Sequence, residues 1–431
     1  MKKVLIYGIN YAPELTGIGK YTGELGAWLA ETGHEVEVIT TFPYYPQWEV
    51  QTDFKGKLWH THLLKGVTVH RCPFYVPKQV SAAKRIIHEF SFLLSSLVYW
   101  IPLLFKPKAD VVLCVAPPFH LSFVAYLYSL LKGSLFYIHV QDLQVDAAKD
   151  LGMIKNKSLL NILFKAEKFI LNKADRVSTI SLAMEKKIIQ KEVGENKTYV
   201  FPNWVDMEAI QPLPKSASLR KEFGLRNTDK VILYAGNLGE KQGLELIIEA
   251  AKHYQKFPHI YFVVVGSGGA KERLIEKVDA DKLTNVKFFP LQKSEDMSRL
   301  LATADLHLVL QKKAAADLLL PSKLGPILAA GGCVLVTADP GTTLHNLVSD
   351  RQLGLVVEPE SLSALVAGID MALKTNLAFF QANARSYAKR HLSKKVILSA
   401  MERELLGGKL VKSVPEISTS FQPVNEVYYS G

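Results

Sequence analysis

Short hydrophobic runs recur along the whole chain, and most of them do not alternate with polar residues. Seven lie in the first half and six in the second, among them KVLIYGI, DVVLCVA, KVILYAGN and IYFVVVG. Stretches with helical periodicity separate these runs. Continuous Val, Ile and Leu runs are typical of strands that are buried on both faces, and strands alternating with helices indicate parallel sheets. The pattern therefore predicts an α/β protein with doubly wound sheets.

A segment rich in proline and serine separates the two halves of this pattern. It reads PNWVDMEAIQPLPKSAS, and its prolines interrupt regular structure. We therefore expect an N-terminal Rossmann-like domain over residues 1–207 and a C-terminal one over 208–395, facing each other across a cleft. Residues 396–406 form a helix that is a candidate to return to the N-terminal domain. Residues 407–431 are expected to be a flexible tail.

The composition narrows the class of protein. Hydrophobic residues make up 48% and charged residues 22% of the 431 residues, which excludes disorder over most of the chain. Lys plus Arg exceed Asp plus Glu by 52 − 41 = 11. Such a surplus suits an anionic partner, and because no nucleic-acid motif accompanies it, we expect acidic lipid or a phosphate-bearing substrate and no nucleic acid. The three cysteines lie far apart, so we expect core thiols in a reducing compartment and no disulfide.

One apolar stretch leaves two interpretations open. It covers residues 90–105, FSFLLSSLVYWIPLLF, with Lys84 and Arg85 before it and Lys106 and Lys108 after it. It is shorter than the eighteen or more apolar residues expected of a membrane span, and a proline interrupts it. It is either a buried helix of a large domain or an interfacial segment that rests on anionic lipid. We predict no signal peptide and no membrane span.

Loops that follow strands carry most of the candidate chemistry, because ligands of parallel sheets bind at the carboxyl ends of the strands. Glycines allow a close approach of the backbone to a ligand, and lysines there can bind phosphate. Each loop could also be an ordinary turn with solvated charges. Four loops contribute candidate phosphate-binding residues: Gly17 and Gly19; Asn237 and Lys241; Gly266, Ser267 and Gly268; Ser322 and Lys323.

A fifth loop carries candidate catalytic residues. His139 and Asp142 leave the strand SLFYIHV within a few residues of each other, and Asp146 follows. Such a cluster can supply a base or bind a substrate hydroxyl, or it can simply hold the loop by hydrogen bonds. The residues alone do not decide between these roles. The chain has no Walker motif, nucleophile elbow, HExxH or CxxC pattern, so no metal site is expected.

The combination resembles family 4 of the retaining glycosyltransferases, which have the GT-B fold. The matching motifs are PELTGIGKYT, ADRVSTIS, FPNWVD, GNLGEKQGLELIIEA, GSGG, NVKFFPL and LPSKLGPILAAGG, in family order across nearly the whole chain. Further stretches, including FPYYPQW, QDLQVDA and VEPESLSALVAGI, are similar to the fucosyltransferase type of colanic-acid biosynthesis.

The resemblance implies roles for the candidate residues. A nucleotide-sugar donor binds mainly to the second domain, with Lys241 neutralising its diphosphate and Gly17 and Gly19 beside it. The loop at 266–268 and the run containing Phe289 and Leu291 hold the nucleoside. Ser322 and Lys323 face the diphosphate or the ribose.

The chain also departs from the family pattern. Asn237 stands where many members have Arg or Lys, and Leu318 and Pro326 stand where many have two glutamates. Asp317 is a candidate replacement for one of them. Val115 and Ala116 stand where many members have a histidine, so His139 and Asp142 are candidates by location only.

The resemblance predicts a retaining, metal-independent and cofactor-free glycosyltransferase. The expected donor is GDP-fucose, and the expected acceptor is a polyprenyl-diphosphate-linked saccharide of exopolysaccharide biosynthesis. We expect a cytoplasmic enzyme, peripheral on the anionic inner face of the plasma membrane. Two alternatives stay open, a sugar-nucleotide epimerase on the same fold and a non-catalytic scaffold of a polysaccharide assembly complex.

Overall fold

A computed structural model describes residues 1–14, 17–79, 81–150, 154, 156–239, 242–313 and 321–406. The chain divides into two compact units. Unit 1 comprises Met1–Phe201 and the chain from Leu398 onward, and unit 2 comprises Pro202–Ile397. Lys241 and Asp317, which the sequence offered as donor-binding residues, lie outside the described residues.

Unit 1 is built on an eight-stranded sheet with the order β3-β4-β2-β1-β5-β6-β7-β8. Neighbouring strands are parallel except for β3, which runs antiparallel to β4. The strands are β1 (Lys3–Tyr7), β2 (Glu35–Thr41), β3 (His60–Leu64), β4 (Val67–Cys72), β5 (Val111–Ala116), β6 (Leu135–Val140), β7 (Arg176–Thr179) and β8 (Thr198–Val200). The helices are α1 (Gly17–Glu31), α2 (Ala82–Leu103), α3 (Leu121–Lys132), α4 (Gln144–Asp150), α5 (Lys157–Lys173) and α6 (Leu182–Gln190).

Unit 2 is built on a six-stranded sheet, parallel throughout, with the order β11-β10-β9-β12-β13-β14. The strands are β9 (Lys230–Asn237), β10 (Ile260–Ser267), β11 (Val286–Phe289), β12 (Leu306–Val309), β13 (Val334–Thr337) and β14 (Gly354–Val357). The helices are α7 (Glu245–His253), α8 (Lys271–Ala280), α9 (Met297–Leu301), α10 (Leu324–Ala329), α11 (Thr343–Asp350), α12 (Leu362–Lys374) and α13 (Ala378–Tyr387). A last helix, α14 (Lys394–Leu406), contains the boundary at which the chain re-enters unit 1.

The hydrophobic runs form the sheets for the expected reason. All six residues of β5 and all four of β12 are buried, since helices cover both faces of each sheet. The predicted pair of doubly wound, Rossmann-like α/β sheets is confirmed. Cys72, Cys114 and Cys333 are buried free thiols, as predicted.

The hydrophobic pattern missed β3. Its five residues HTHLL have no buried member, and it pairs only with β4 at the edge of the sheet. An edge strand exposed in this way carries no apolar run, so periodicity cannot find it.

The apolar stretch at 90–105 belongs to α2, which starts earlier than the stretch itself. Ser81 caps the helix, with its hydroxyl accepting from the backbone N–H of Lys84, and Pro102 falls in the last turn. One face, with Phe92, Trp100 and Leu103, is buried in the core. The opposite face is exposed: Leu94 is 64% and Ile101 is 56% accessible. The helix is therefore buried in the core along one face, and the contact of its exposed face with lipid stays a prediction.

Among the described residues, the segment Ala83–Leu103 is long and apolar enough to cross a membrane by length and composition alone. The consecutive helical segments Leu362–Lys374 and Ala378–Leu392 meet at an angle of 101°. They are long and apolar enough only when both are counted as one span. A partly buried helix of a soluble domain has the same composition. Length and composition alone therefore do not assign these helices to a membrane.

Each sheet has one position where the strand order reverses. In unit 1 the chain places β2 on one side of β1 and β5 on the other, and in unit 2 it places β10 and β12 on either side of β9. Ligands of doubly wound sheets bind beyond the carboxyl ends of the strands at this position. The loops after β1 and β5, and those after β9 and β10, are therefore the places to look for sites.

Candidate functional site

Two glycine loops meet at the carboxyl ends of β9 and β10 in unit 2. Asn237 and Ser267 stand opposite each other in the strand register, and the backbone N–H of Leu238 donates to the carbonyl of Ser267 over 2.9 Å. A side chain on Gly266 would collide with the carbonyl oxygen of Gly236. At Gly268, whose φ is +152°, a Cβ would lie 2.8 Å from Asn237 Oδ1. The glycines therefore permit the two loops to pack this closely.

Lys323 lies over the end of β9 in the same place. Its ammonium nitrogen is 3.5 Å from the centre of the Tyr234 ring, and a Cβ on Gly236 would lie 3.0 Å from that nitrogen. The nitrogen is buried and has no hydrogen-bond partner in the described part of the chain. Burial lowers the pKa of Lys323 to about 7. A buried amine without a partner is unfavourable unless something else supplies charge or acceptors.

Tyr234 fixes the geometry beneath this lysine. Its hydroxyl donates to the backbone carbonyl of Asn237 over 2.8 Å, and its ring is fully buried. The aromatic ring makes a cation–π contact with the Lys323 ammonium. This contact offsets only part of the cost of burying the charged form. The site thus holds a buried, titratable amine beside two glycine turns. An anion with several acceptor oxygens, such as a diphosphate, would complete it.

The structure brings together Asn237, Gly266, Ser267, Gly268 and Lys323, while the other candidates of unit 2 lie elsewhere or stay unplaced. Phe289 stacks on Phe223 with the ring centres 3.7 Å apart and packs against an apolar cluster. Leu291 follows β11 and is exposed, as is Ser322. Helix α10 starts at Leu324, directly after Ser322 and Lys323, and is six residues long. A nucleoside role for Phe289 and Leu291 stays a prediction.

The glycines of unit 1 have a structural partner. Gly17 opens α1 with a φ of +62°. A Cβ on Gly19 would collide with the Glu14 carboxylate and would lie 2.8 Å from the Glu14 Cβ. Glu14 is buried and accepts hydrogen bonds from the backbone N–H groups of Tyr44 and Tyr45 and from the Asn10 amide. The described neighbours thus explain Gly19 by packing against Glu14, and its place beside a diphosphate stays a prediction.

His139 lies inside β6 and is only 4% exposed. The Gln141 amide nitrogen donates to His139 Nε2 over 2.9 Å, so Nδ1 carries the proton and donates to Ser178 Oγ over 2.8 Å. Burial lowers the pKa of His139 to about 4, so its ring is neutral near pH 7. Both ring nitrogens of His139 are hydrogen-bonded to other side chains of unit 1. These bonds tie the end of β6 to its neighbours, as expected of a structural residue. Its catalytic role stays a prediction.

Asp142 lies two residues beyond β6 and is half-buried. Its charge and that of Asp146 act on Glu167, whose carboxyl pKa is raised chiefly by burial. Lys191 bonds to Asp146 and to Glu167 over 2.6 Å each. Asp142 therefore sits at the margin of an acidic cluster that one lysine holds together.

Sequence reasoning missed a polar and aromatic cluster in unit 1. It gathers side chains from the loops after β2 and β5, from α2 and from the start of α4; we call it the Glu89 cluster, and its members are Trp48, His88, Glu89, Phe90, His120 and Gln144. Glu89 is buried and accepts from Arg85 Nε over 3.2 Å and from Gln144 Nε2 over 3.0 Å. The signal was a His-Glu pair in the first half of a mostly apolar helix.

The described residues contain no group of three or more His, Cys, Asp or Glu side chains that could hold a metal ion. The cluster around Lys191 and the Glu89 cluster each pair their carboxylates with cations or amides instead.

Two family models match the chain. Residues 16–204 match the "Glycosyl transferase 4-like domain", and residues 215–391 match "Glycosyl transferases group 1". The chain is 43% identical over 414 residues to the "Putative colanic acid biosynthesis glycosyl transferase WcaI" of Escherichia coli K12, covering 94% of this chain and all of that protein.

Solved structures agree on the fold. Sucrose-phosphate synthase from Thermosynechococcus elongatus superposes with a TM-score of 0.72 at 18% identity, over 95% of this chain and all of that one. The Anabaena protein HepE in complex with UDP and glucose gives a TM-score of 0.66 at 16% identity, over 94% of this chain and 99% of that one. With two Rossmann-like units and both family matches in sequence order, the chain belongs to the group 1 glycosyltransferases of the GT-B fold.

Proposed function

We propose that this protein is a retaining glycosyltransferase that moves a sugar, for which fucose is our choice, from a nucleotide-sugar to a lipid-linked saccharide in exopolysaccharide biosynthesis. One observation carries the proposal. The buried ammonium of Lys323 has no hydrogen-bond partner in the described part of unit 2 and lies beside the glycine turns that end β9 and β10. A diphosphate supplies the missing acceptors and the negative charge.

The proposed reaction needs positioning and charge more than covalent help. The bond between the anomeric carbon and the diphosphate oxygen breaks, and the acceptor oxygen forms the new bond on the same face of the sugar. The acceptor proton passes to the departing phosphate oxygen, so the products are the glycoside and a nucleoside diphosphate. Lys323 stabilises the charge that develops on the leaving group, and binding both substrates in register lowers the entropic part of the barrier. No metal ion and no cofactor take part in this scheme.

The choice of pathway rests on the relative whose name mentions colanic acid, which this chain matches along 94% of its length. The choice of a nucleotide-sugar donor draws on HepE, which was solved with UDP and glucose. GDP-fucose is our proposal for the donor here, on the sequence resemblance alone. The basic surplus of 11 charges suits both a diphosphate donor and a diphosphate-linked acceptor.

The test of the donor site is a calorimetric titration with GDP, UDP, ADP and GDP-fucose. The variant Lys323→Met keeps the length of the side chain and removes its charge. Because a charged hydrogen bond contributes about 1.5–3 kcal/mol, affinity for the bound nucleotide should fall roughly ten- to a hundredfold. Lys256→Met is the matched control, since Lys256 is an exposed lysine of unit 2 before β10.

The outcomes separate the alternatives. Wild-type affinity in Lys323→Met would remove this lysine from the donor site. An epimerised nucleotide-sugar after incubation without acceptor would favour the epimerase. Absence of binding to all four nucleotides would favour the scaffold.

We further propose that unit 1 rests on the cytoplasmic face of the plasma membrane through α2. The exposed face of the second half of the helix is apolar, with Leu94, Val98 and Ile101 at roughly one-turn intervals. Phe105 just beyond it is 86% accessible. Lys84 and Arg85 precede this face, and Lys106 and Lys108 follow it. Basic residues near an anionic surface contribute about 1 kcal/mol each.

Flotation with vesicles of anionic phosphatidylglycerol or neutral phosphatidylcholine tests this arrangement. The wild type should float with the anionic vesicles and be released in part by high salt, which screens the basic residues but not the apolar contact. The double variant Leu94→Glu/Ile101→Glu should stay unbound at low salt. Met371→Glu, at an exposed apolar position of unit 2, is the control. A wild type that never floats would contradict the proposal.

A further inference from the structure

The Glu89 cluster lies at the switch point of the unit 1 sheet. His120 precedes α3 in the loop after β5, Trp48 belongs to the loop after β2, and Gln144 opens α4 after β6. These loops leave the carboxyl edge on both sides of β1. This is where a doubly wound sheet binds its ligand, and neither the donor site in unit 2 nor the membrane face of α2 uses the cluster.

The proton of His88 can be assigned from its neighbours. His88 Nδ1 lies 2.7 Å from the carbonyl oxygen of Tyr75, and because a carbonyl only accepts, Nδ1 donates. Burial lowers the pKa of His88 to about 4, so the ring is neutral and Nε2 is an acceptor. This nitrogen is buried, and within the described ranges it meets no donor. The residue itself is only 1% exposed.

Other members of the cluster are also acceptors. Gln144 Nε2 donates to both oxygens of Glu89, at 3.0 and 3.2 Å, which leaves Gln144 Oε1 buried without a partner in the described chain. Glu89 is held by Gln144 and Arg85, and each of its oxygens can accept a further hydrogen bond. His120 Nδ1 faces Glu89 at 3.9 Å, and His120 Nε2 likewise lacks a partner among the described residues.

A cluster with more free hydrogen-bond acceptors than donors favours a ligand that carries donors. Buried acceptors are unfavourable unless a donor reaches them, and hydroxyl groups are donors. A phosphodiester or diphosphate linkage offers acceptor oxygens rather than donors near neutral pH, and the Glu89 carboxylate would repel any anion. The chemistry therefore excludes an anion and favours a neutral ligand with several hydroxyls.

Aromatic surfaces line the same place. Phe90 is 48% exposed and stacks on His120, with ring centres 4.4 Å apart and an interplanar angle of 6°. Trp48 is half-buried, and its ring centre lies 5.2 Å from that of His88. Its φ of +54° is a left-handed conformation that bulky residues rarely adopt and that functional sites often contain. Flat aromatic faces suit the C–H faces of a sugar ring.

We infer that the Glu89 cluster binds a sugar ring of the saccharide acceptor, with Trp48 and Phe90 against its faces and His88, Glu89 and Gln144 accepting from its hydroxyls. This inference rests on the proposed function, because it takes the acceptor to be a saccharide. Three members of the cluster, His88, Glu89 and Phe90, belong to α2. The cluster therefore lies next to the exposed apolar face of the same helix. A lipid-linked acceptor could then keep its lipid in the membrane while its sugar occupies the cluster.

Saturation-transfer NMR titrations with methyl glycosides of fucose, galactose and glucose test the inference, with inorganic phosphate as the anionic probe. His88→Asn keeps a donor for the Tyr75 carbonyl and removes the Nε2 acceptor. Trp48→Ala changes a partly exposed residue and leaves the buried hydrogen bonds intact. His259→Asn, at an exposed position before β10, is the matched control.

At least one glycoside should bind the wild type at about 1–10 mM and bind both cluster variants about tenfold more weakly. The control should bind as the wild type does. If His88→Asn loses its cooperative melting transition, Trp48→Ala decides. The inference is overturned if no glycoside binds at about 50 mM, if the variants bind unchanged, or if phosphate competes for the site.

Nucleotide titration of the same samples keeps the two proposals apart. Normal nucleotide binding without glycoside binding overturns this inference alone. Glycoside binding without nucleotide binding overturns the donor site of the proposed function and leaves the cluster in place.

Discussion

Lys323 carries a structural cost, which the proposed diphosphate would offset. Its pKa of about 7 lies far below the ordinary value of 10.5, so between these values the unfolded chain binds a proton that the folded chain does not. The free energy of unfolding contributed by this residue therefore rises with pH across that window and is lowest below pH 7. A diphosphate reverses the preference, because it favours the charged amine.

Two measurements follow for Lys323. Lys323→Met should raise the melting temperature by at least about 2 °C at pH 6, and by less at pH 9. Nucleotide binding by the wild type should take up a proton at pH 8, which calorimetry detects as a dependence of the heat on the buffer. A melting temperature that does not change at either pH, together with no proton uptake, would mean that Lys323 is already paired when the site is empty.

We expect substitutions of His139 and Asp142 to affect different properties: stability in the case of His139, and turnover in the case of Asp142. His139→Ala leaves Ser178 and Gln141 without their partner inside the sheet, so it should lower the free energy of unfolding by about 1–3 kcal/mol. Asp142→Asn, at a half-buried loop position, should instead reduce turnover about tenfold or more if it orients a substrate. Urea unfolding and turnover with saturating donor are measured for both. Equal losses of stability in the two variants would assign Asp142 to the loop as well.

At the scale of elements, the loop between β1 and α1 depends on Gly19. A methyl group there meets the Glu14 carboxylate, which two backbone N–H groups hold in place. Gly19→Ala should therefore lower the free energy of unfolding by about 1–3 kcal/mol, as overpacking does elsewhere. At Gly269 an added Cβ meets nothing within 4 Å among the described atoms, so Gly269→Ala is the control. Equal urea midpoints for the two variants would mean that the loop shifts at no cost.

The elements also show how far sequence reasoning reaches. Runs such as the one in β5 were predictable because burial on both faces leaves a continuous apolar signal. The glycine turns after β9 and β10 were predictable because they follow such strands. The Glu89 cluster was not, since Trp48, His120 and Gln144 are distant in sequence and meet only through the order of the strands. Phe289 stacks on Phe223, a contact that no spacing reveals, and its role as a nucleoside contact stays a prediction.

At the scale of the whole molecule, unit 1 is closed by the last described helix. Leu398, Met401 and Leu405 of α14 are buried, and Glu402 accepts from Trp28 Nε1 over 2.7 Å. A chain that ends after Ile397 loses these contacts. Since a buried aliphatic side chain contributes about 1.5–3 kcal/mol, it should be at least about 4 kcal/mol less stable in unit 1 than a chain that ends after Leu406. Unfolding followed by tryptophan fluorescence measures the difference, and equal midpoints would contradict it.

The re-entry of α14 also sets an order of events on the ribosome. Unit 2 is in effect an insertion within unit 1, because both of its ends join unit 1 segments. Domains generally fold as units while the chain is being made, and here the first 201 residues emerge long before the helix that completes them. Unit 2 is synthesised whole in between and can fold first. During that interval the indole N–H of Trp28 and the ring of His34 lack Glu402, their hydrogen-bond partner in the folded protein, because Glu402 is synthesised after unit 2.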